Sequence, residues 1–158
     1  ALPIFGVLRK TIINLRFTIL TIISVIATAE VMNFSGMTSE IAATAVSATG
    51  TGYPAISAFI GSIGTFITGS ATSSCVLFGK LQTDSATAIN ANAAWVAASN
   101  ATGACAGKMI SPQSIAIAVA AIAAPGSDSQ LLKFAVKVYL PYIIVMGCIV
   151  YFGQAFVG

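Results

Sequence analysis

The chain has 158 residues, of which 57% are hydrophobic and 7% charged, with no histidine and a formal net charge of +3. An average soluble domain carries about a quarter charged residues, so this chain has too little charge to clothe a water-facing surface, and lipid is the expected solvent. Four acids and no histidine leave no obvious general acid–base pair for an enzyme, and a charge of +3 is too small to suggest a nucleic-acid partner.

The sequence begins at Ala1, and LPIFG runs directly into basic residues, which suggests a piece of a longer chain. It lacks the short apolar core and small-residue cleavage site of a signal peptide. Residues 17–34, FTILTIISVIATAEVMNF, form an apolar run broken only by Glu30, and the length predicts a transmembrane helix once its edges are included. Arg9, Lys10 and Arg16 precede it and place that end in the cytoplasm.

The middle of the chain contains apolar segments too short to span. AISAFIGSIGTFI (55–67) and CVLFGKL (75–81) predict two arms of a re-entrant hairpin over 55–81, with TGSATSS at its tip. INANAAWVAAS (89–99) and SIAIAVAAIAA (114–124) predict two halves of one broken transmembrane helix over 89–124, interrupted by SNATGACAGKMISPQ. Residues 138–156, VYLPYIIVMGCIVYFGQAF, predict a final transmembrane helix, with Pro141 near its start, Lys133 and Lys137 on the cytoplasmic side, and Tyr139, Tyr142 and Tyr151 as interfacial anchors. The whole of 1–158 then reads as one all-α membrane domain. Its hairpin enters and leaves on the outer side, and both basic clusters stay inside.

Two polar interruptions carry the chemistry. Thr68, Ser70, Thr72, Ser73 and Ser74 place five hydroxyls in seven positions around Gly69, and Asn100, Thr102, Gly103, Gly107 and Lys108 fall in the second interruption. Half-helix N-termini offer N–H groups to an anion, freed carbonyls suit a cation, and hydroxyls add hydrogen bonds without burying charge. The plainer reading is helix packing, since Gly103 and Gly107 also match the GxxxG pattern and Lys108 can snorkel to an interface. Glu30 and Asp84 are the acids that could carry a coupling proton, although Glu30 can simply reach the outer interface and Asp84 can cap the segment after the hairpin. Cys75, Cys105 and Cys148 are odd in number, widely spaced and without CxxC, so no disulfide framework, metal site or cofactor is expected.

ISAFIGSIGTFITGSATSSCVLFGKLQ (56–82), ASNATGACAGKMISPQSIAIA (98–118) and NFSGMTSEIAATAVSATG (33–50) resemble the C-terminal part of the L-lactate permease family. GKMISPQSIA (107–116) is the most specific string. The resemblance implies a secondary transporter of a bacterial inner membrane. It would move L-lactate and related 2-hydroxy monocarboxylates such as glycolate with protons. An N-terminal half of the same permease would supply the other part of an inverted repeat. Two positions depart from the family pattern: Ala71 stands where aspartate is frequent, and Cys75 where asparagine is frequent. Combined with the polar interruptions, the resemblance places substrate against Gly69, Ser70, Thr72, Ser73 and Ser74, opposite Asn100, Thr102 and Gly103. Lys108 attracts the anion, and Ser111 and Gln113 orient the second half-helix or the 2-hydroxyl. Alternatives are a sodium-coupled carboxylate or anion transporter of similar architecture, and a helical membrane subunit with no transport of its own.

Overall fold

The computed structural model describes residues 2–122 and 126–157. These residues are helical almost throughout, and no strand occurs among them. In chain order the elements are α1 (Leu2–Phe34), α2 (Met37–Thr49), a 3-10 turn (Gly50–Gly52), α3 (Tyr53–Thr68), α4 (Ala71–Ala88), α5 (Ala93–Ile110), α6 (Pro112–Ala121) and α7 (Asp128–Val157).

The helix boundaries follow local chemistry. Gly36, at φ +75°, turns the chain between α1 and α2. Gly69, at φ +70°, closes α3 in the left-handed conformation that glycine adopts without steric cost. Ser70 then caps α4, its Oγ accepting from the Ser73 N–H at 3.2 Å. Asn92 caps α5 in the same way, its Oδ1 accepting from the Trp95 N–H at 3.1 Å. Pro112 excludes its predecessor from helical geometry, so Ser111 is extended at φ −66° and ψ 136°, and the helix restarts with proline in its first position.

Several of these boundaries differ from the sequence-based expectation. The turn of the hairpin is two residues, Gly69 and Ser70, because Thr72, Ser73 and Ser74 already lie in the first turn of α4. The stretch SNATGACAGK is continuous helix within α5, and the interruption narrows to Ser111. Residues 37–49 form a helix that the apolar pattern did not announce. Pro141 falls inside α7 rather than near its start, since that helix begins at Asp128 and takes in Lys133 and Lys137. Asp84 is not a cap: it lies within α4 and pairs with Lys80 at 2.6 Å, one turn earlier. Residues 123–124, the end of the second expected half-helix, lie outside the described residues.

The core is built on close contact between α3 and α5. A Cβ on Gly103 would overlap the Ala58 carbonyl, one on Gly107 would overlap Ser62, and one on Gly61 would overlap the Asn100 backbone. The sequence numbers rise together along both helices, so α3 and α5 run parallel. The α4 helix returns antiparallel to α3, with Ser74 Oγ donating to Gly61 O at 2.6 Å and Tyr53 meeting Gln82 at 2.8 Å. The α7 helix is antiparallel as well, since Ser62 meets the Tyr139 hydroxyl at 2.6 Å while Gly147 faces Ala55. At the other end Trp95 packs on Gly153 and donates from Nε1 to Val150 O at 3.0 Å.

Polarity is inverted relative to a water-soluble domain. Ser57, Ser62, Thr65, Ser74, Gln82, Ser99, Asn100 and Ser111 are buried, while Phe34, Phe134, Ile144, Phe152 and Phe156 are exposed, Phe156 by 90%. Buried hydroxyls and small residues at helix contacts, with large apolar side chains outside, are the pattern of helices associating in lipid. By length and composition α7 can cross a membrane.

The glycine contacts generate a stability prediction. Gly103→Leu should drive α3 from α5 and cost about 3 kcal/mol or more, read as a loss of folded, monodisperse protein in detergent. Gly79, whose added Cβ would meet nothing within 4 Å, is the control. Gly79→Ala should hold or raise the melting temperature, alanine being better than glycine in a helix interior by about 0.5–1 kcal/mol. Equal damage from both substitutions would overturn the close-contact account.

Candidate functional site

The two helix interruptions meet. The Lys108 side chain, on the last turn of α5, donates from Nζ to the Gly69 carbonyl at the tip of the α3–α4 hairpin. A Cβ on Gly69 would run into the Gln113 side chain in the first turn of α6. Ser111 ties the second break together: its Oγ donates to Lys108 O at 3.2 Å and accepts from the Ser114 N–H at 3.3 Å. Gly69, Ser70, Lys108, Ser111 and Gln113 therefore form one cluster around two serine-capped helix starts.

Local rules explain its electrostatics. The first N–H groups of a helix have no intrahelical acceptor and carry a partial positive charge. At the start of α4 the Ser73 N–H is taken by Ser70 Oγ and the Ser74 N–H by Ser70 O, which leaves those of Ala71 and Thr72 to an outside acceptor. The Lys108 ammonium adds a full charge beside this helix start and holds the Gly69 carbonyl, one of the unpaired acceptors at the end of α3. The combination favours an anion with at least two acceptor oxygens.

A second cluster lies deeper in the hairpin. Ser74 Oγ donates to Gly61 O, and the Asn100 backbone and side chain pack over the Cα of the same glycine. Asn100 is fully buried, and its Oδ1 accepts from Gln82 Nε2 at 3.0 Å. Ser57 donates to Pro54 O at 2.7 Å, so the 2.7 Å contact between Ser57 Oγ and Ser99 Oγ has Ser99 as donor. Cys75 lies one turn after Ala71, on the part of α4 that links the two clusters.

Not every residue singled out from sequence belongs to these groups. Thr102 bonds its own helix, donating to Ala98 O at 2.9 Å, and borders a small cleft with Trp95, Met146 and Val150 between α5 and α7. Gly103 is occupied by its contact with Ala58, and Thr72 is exposed on the outer side of the hairpin start. Asp84 lies thirteen residues beyond Ala71, about 20 Å along α4 at the usual helical rise. There it pairs with Lys80 and accepts from Ser39 Oγ at 3.2 Å. Glu30 is exposed on α1 and makes no ion pair among the described residues. Sequence reasoning missed Gln82 and Tyr53. An isolated glutamine in LQTDS and a tyrosine beside a proline carry no signal by themselves, and only their shared hydrogen bond gives them a role.

Comparison with known proteins gives a consistent result. The family profile described as L-lactate permease matches residues 2–157. Among curated relatives, Glycolate permease GlcA of Escherichia coli (strain K12) is 44% identical over 144 residues, covering 91% of this chain and 26% of the relative. L-lactate permease of Bacillus subtilis (strain 168) is 40% identical over 148 residues, covering 94% of this chain and 26% of the relative. L-lactate permease of Streptococcus iniae is 45% identical over 100 residues, covering 63% of this chain and 21% of the relative. The chain spans about a quarter of the length of the first two. No solved structure matches it. On the profile match and these identities, the chain belongs to the L-lactate permease family.

Proposed function

We propose that this chain is the C-terminal part of a multi-pass secondary transporter that carries L-lactate and related 2-hydroxy monocarboxylates across a bacterial inner membrane together with protons. The observation that carries the reading is the meeting of two helix interruptions at Gly69–Ser70 and Ser111, bridged by Lys108. Such paired breaks are a recurrent way to build a substrate site inside a bilayer. The inverted polarity of the bundle supports placing 55–81 as a re-entrant hairpin, because both of its ends, Tyr53 and Ile89, lie at the same end of the bundle, the end where Asn92 Nδ2 donates to Val157 O.

In this reading the substrate carboxylate takes the free N–H groups at the start of α4 and the charge of Lys108. Gln113, Ser70 and Ser73 close the site around it, and the 2-hydroxyl points along Ala71 and Cys75 toward Asn100. Glycolate lacks only the methyl group of lactate. One methyl-sized apolar group is worth about 0.8 kcal/mol, or about fourfold in affinity, so a site that reads carboxylate and hydroxyl takes both acids. This agrees with relatives named for either substrate. Glu30 and Asp84 are the acids of this chain proposed as coupling groups, and the rest of the permease completes the site.

The test is uptake of labelled L-lactate by the full-length permease in proteoliposomes, with an imposed pH gradient compared with an imposed sodium gradient. Acidic-outside uptake that ignores sodium is expected. Sodium-driven uptake would overturn proton coupling, and no uptake under either gradient would overturn the substrate. Lys108→Ala should raise KM for L-lactate by about tenfold or more through loss of a charge-assisted contact, with partial recovery in Lys108→Arg. Asn100→Ala should lower uptake by about tenfold or more while leaving insertion into the membrane intact, since a buried polar partner is removed without changing the apolar surface. Wild-type transport in Asn100→Ala would remove Asn100 from the site.

A further inference from the structure

Gln82, absent from every sequence-level reading of the site, lies fully buried in the middle of α4. Its Nε2 donates to Ser57 O at 3.2 Å and to Asn100 Oδ1 at 3.0 Å, and its Oε1 accepts from the Tyr53 hydroxyl at 2.8 Å. Side-chain amides can be turned end for end, so the fixed members of this chain decide its direction. Ser57 contributes a main-chain carbonyl, which can only accept. The end of Gln82 that faces it must be the NH2, and Oε1 is thereby turned to Tyr53, whose hydroxyl donates. Asn100 must then present its own oxygen to Gln82, because two NH2 groups facing each other would leave both unpaired in a buried site. Every bond runs one way, from Tyr53 through Gln82 to Asn100.

The NH2 of Asn100 is left pointing away from Gln82, and the Asn100 side chain lies within reach of Cys75. Cys75 follows Ala71 by one turn, so the Asn100 side chain lies about one turn below the helix start where the carboxylate is placed above. We propose that Gln82 is a positioning residue that sets the sign of the transport site: the chain Tyr53–Gln82–Asn100 holds Asn100 as a hydrogen-bond donor toward the substrate. A site that offers N–H groups at this depth accepts the oxygens of a hydroxy acid and rejects a cation, which would need the oxygen instead. The inference rests on the reading of the hairpin tip as a carboxylate site.

The experiment uses the full-length permease in proteoliposomes, in a Cys105→Ala/Cys148→Ala background, with the variants Gln82→Glu, Gln82→Met and Tyr53→Phe. Burial holds the carboxyl introduced by Gln82→Glu in its neutral form, which has one O–H in place of the two N–H donors of the amide, so it cannot hold both Ser57 O and Asn100 Oδ1 and the orientation of Asn100 is lost. KM for L-lactate should rise by about tenfold or more in Gln82→Glu and Gln82→Met, and by about threefold in Tyr53→Phe, where the Ser57 carbonyl still orients the amide. Vmax should stay within about twofold of the parent, and Tyr53→Phe should remain folded with a modestly lowered melting temperature, since it leaves one buried acceptor unpaired, so it reads the role even where a Gln82 variant fails to fold. Unchanged KM in Tyr53→Phe and in whichever Gln82 variants fold, or loss confined to the amount of folded protein, would overturn the positioning role.

A second readout separates this proposal from the substrate reading. Protection of Cys75 from N-ethylmaleimide is measured with L-lactate, glycolate and acetate, before and after Gln82→Glu and Tyr53→Phe. If the parent fails to transport lactate, protection by any of these carboxylates that weakens in the variants still supports the donor arrangement. Protection by none of them, or equal protection in parent and variants, overturns it.

Discussion

The distance between α3 and α5 governs everything else in this chain. In lipid the apolar tails surrounding a helix are as comfortable as another helix, so association depends on dispersion contact and hydrogen bonds. The side chains at a helix contact normally set the spacing, at about 8–10 Å between axes. Gly61, Gly103 and Gly107 remove that spacing, and the short hydroxyls of Ser57 and Ser99 then bridge the gap. The same register brings the end of α3 level with the end of α5, which is why Lys108 reaches Gly69 O. Glycine here acts through the backbone it admits rather than through its own flexibility.

Much of this was legible in the amino-acid sequence, and the parts that were not share a physical cause. Segment lengths alone separated 17–34 and 138–156 from the shorter pieces between them, and GKMISPQSIA carried the family. Gly103 and Gly107 were harder, because a glycine looks the same in sequence whether it breaks a helix or lets another helix approach. The backbone of Ala58 and Ser62 across the interface decides the matter, and no local pattern reports it. The break itself was marked by Ser111–Pro112, a local signal that the glycine-rich stretch beside it obscured. Asp84 had a signal too, since Lys80 stands four residues earlier on the same helical face. For Gln82 there was none: its importance lies in partners 25, 18 and 29 positions away.

Ala71 and Cys75, which stand where the resemblance leads one to expect aspartate and asparagine, take a physical meaning from their position. Ala71 is the first residue of α4, where an aspartate would be favoured by the helix dipole and would compete for the same N–H groups as a substrate carboxylate. Alanine leaves those groups unclaimed. Cys75, half-buried one turn further on, presents a weaker hydrogen-bonding group than asparagine would. Both residues keep low the polarity that the protein itself supplies along α4.

The buried polar core also has a thermal consequence. The large heat-capacity change that bends a soluble protein's stability curve comes from apolar surface becoming wetted on unfolding. Here many large apolar side chains already face outward, and the groups released when α3 and α5 part include hydroxyls, amides and glycine backbone beside small apolar residues such as Ala58 and Ala106. While the chain stays in its bilayer, opening the bundle therefore wets little hydrocarbon. Its stability should vary almost linearly with temperature, without the cold-side maximum of a water-soluble domain.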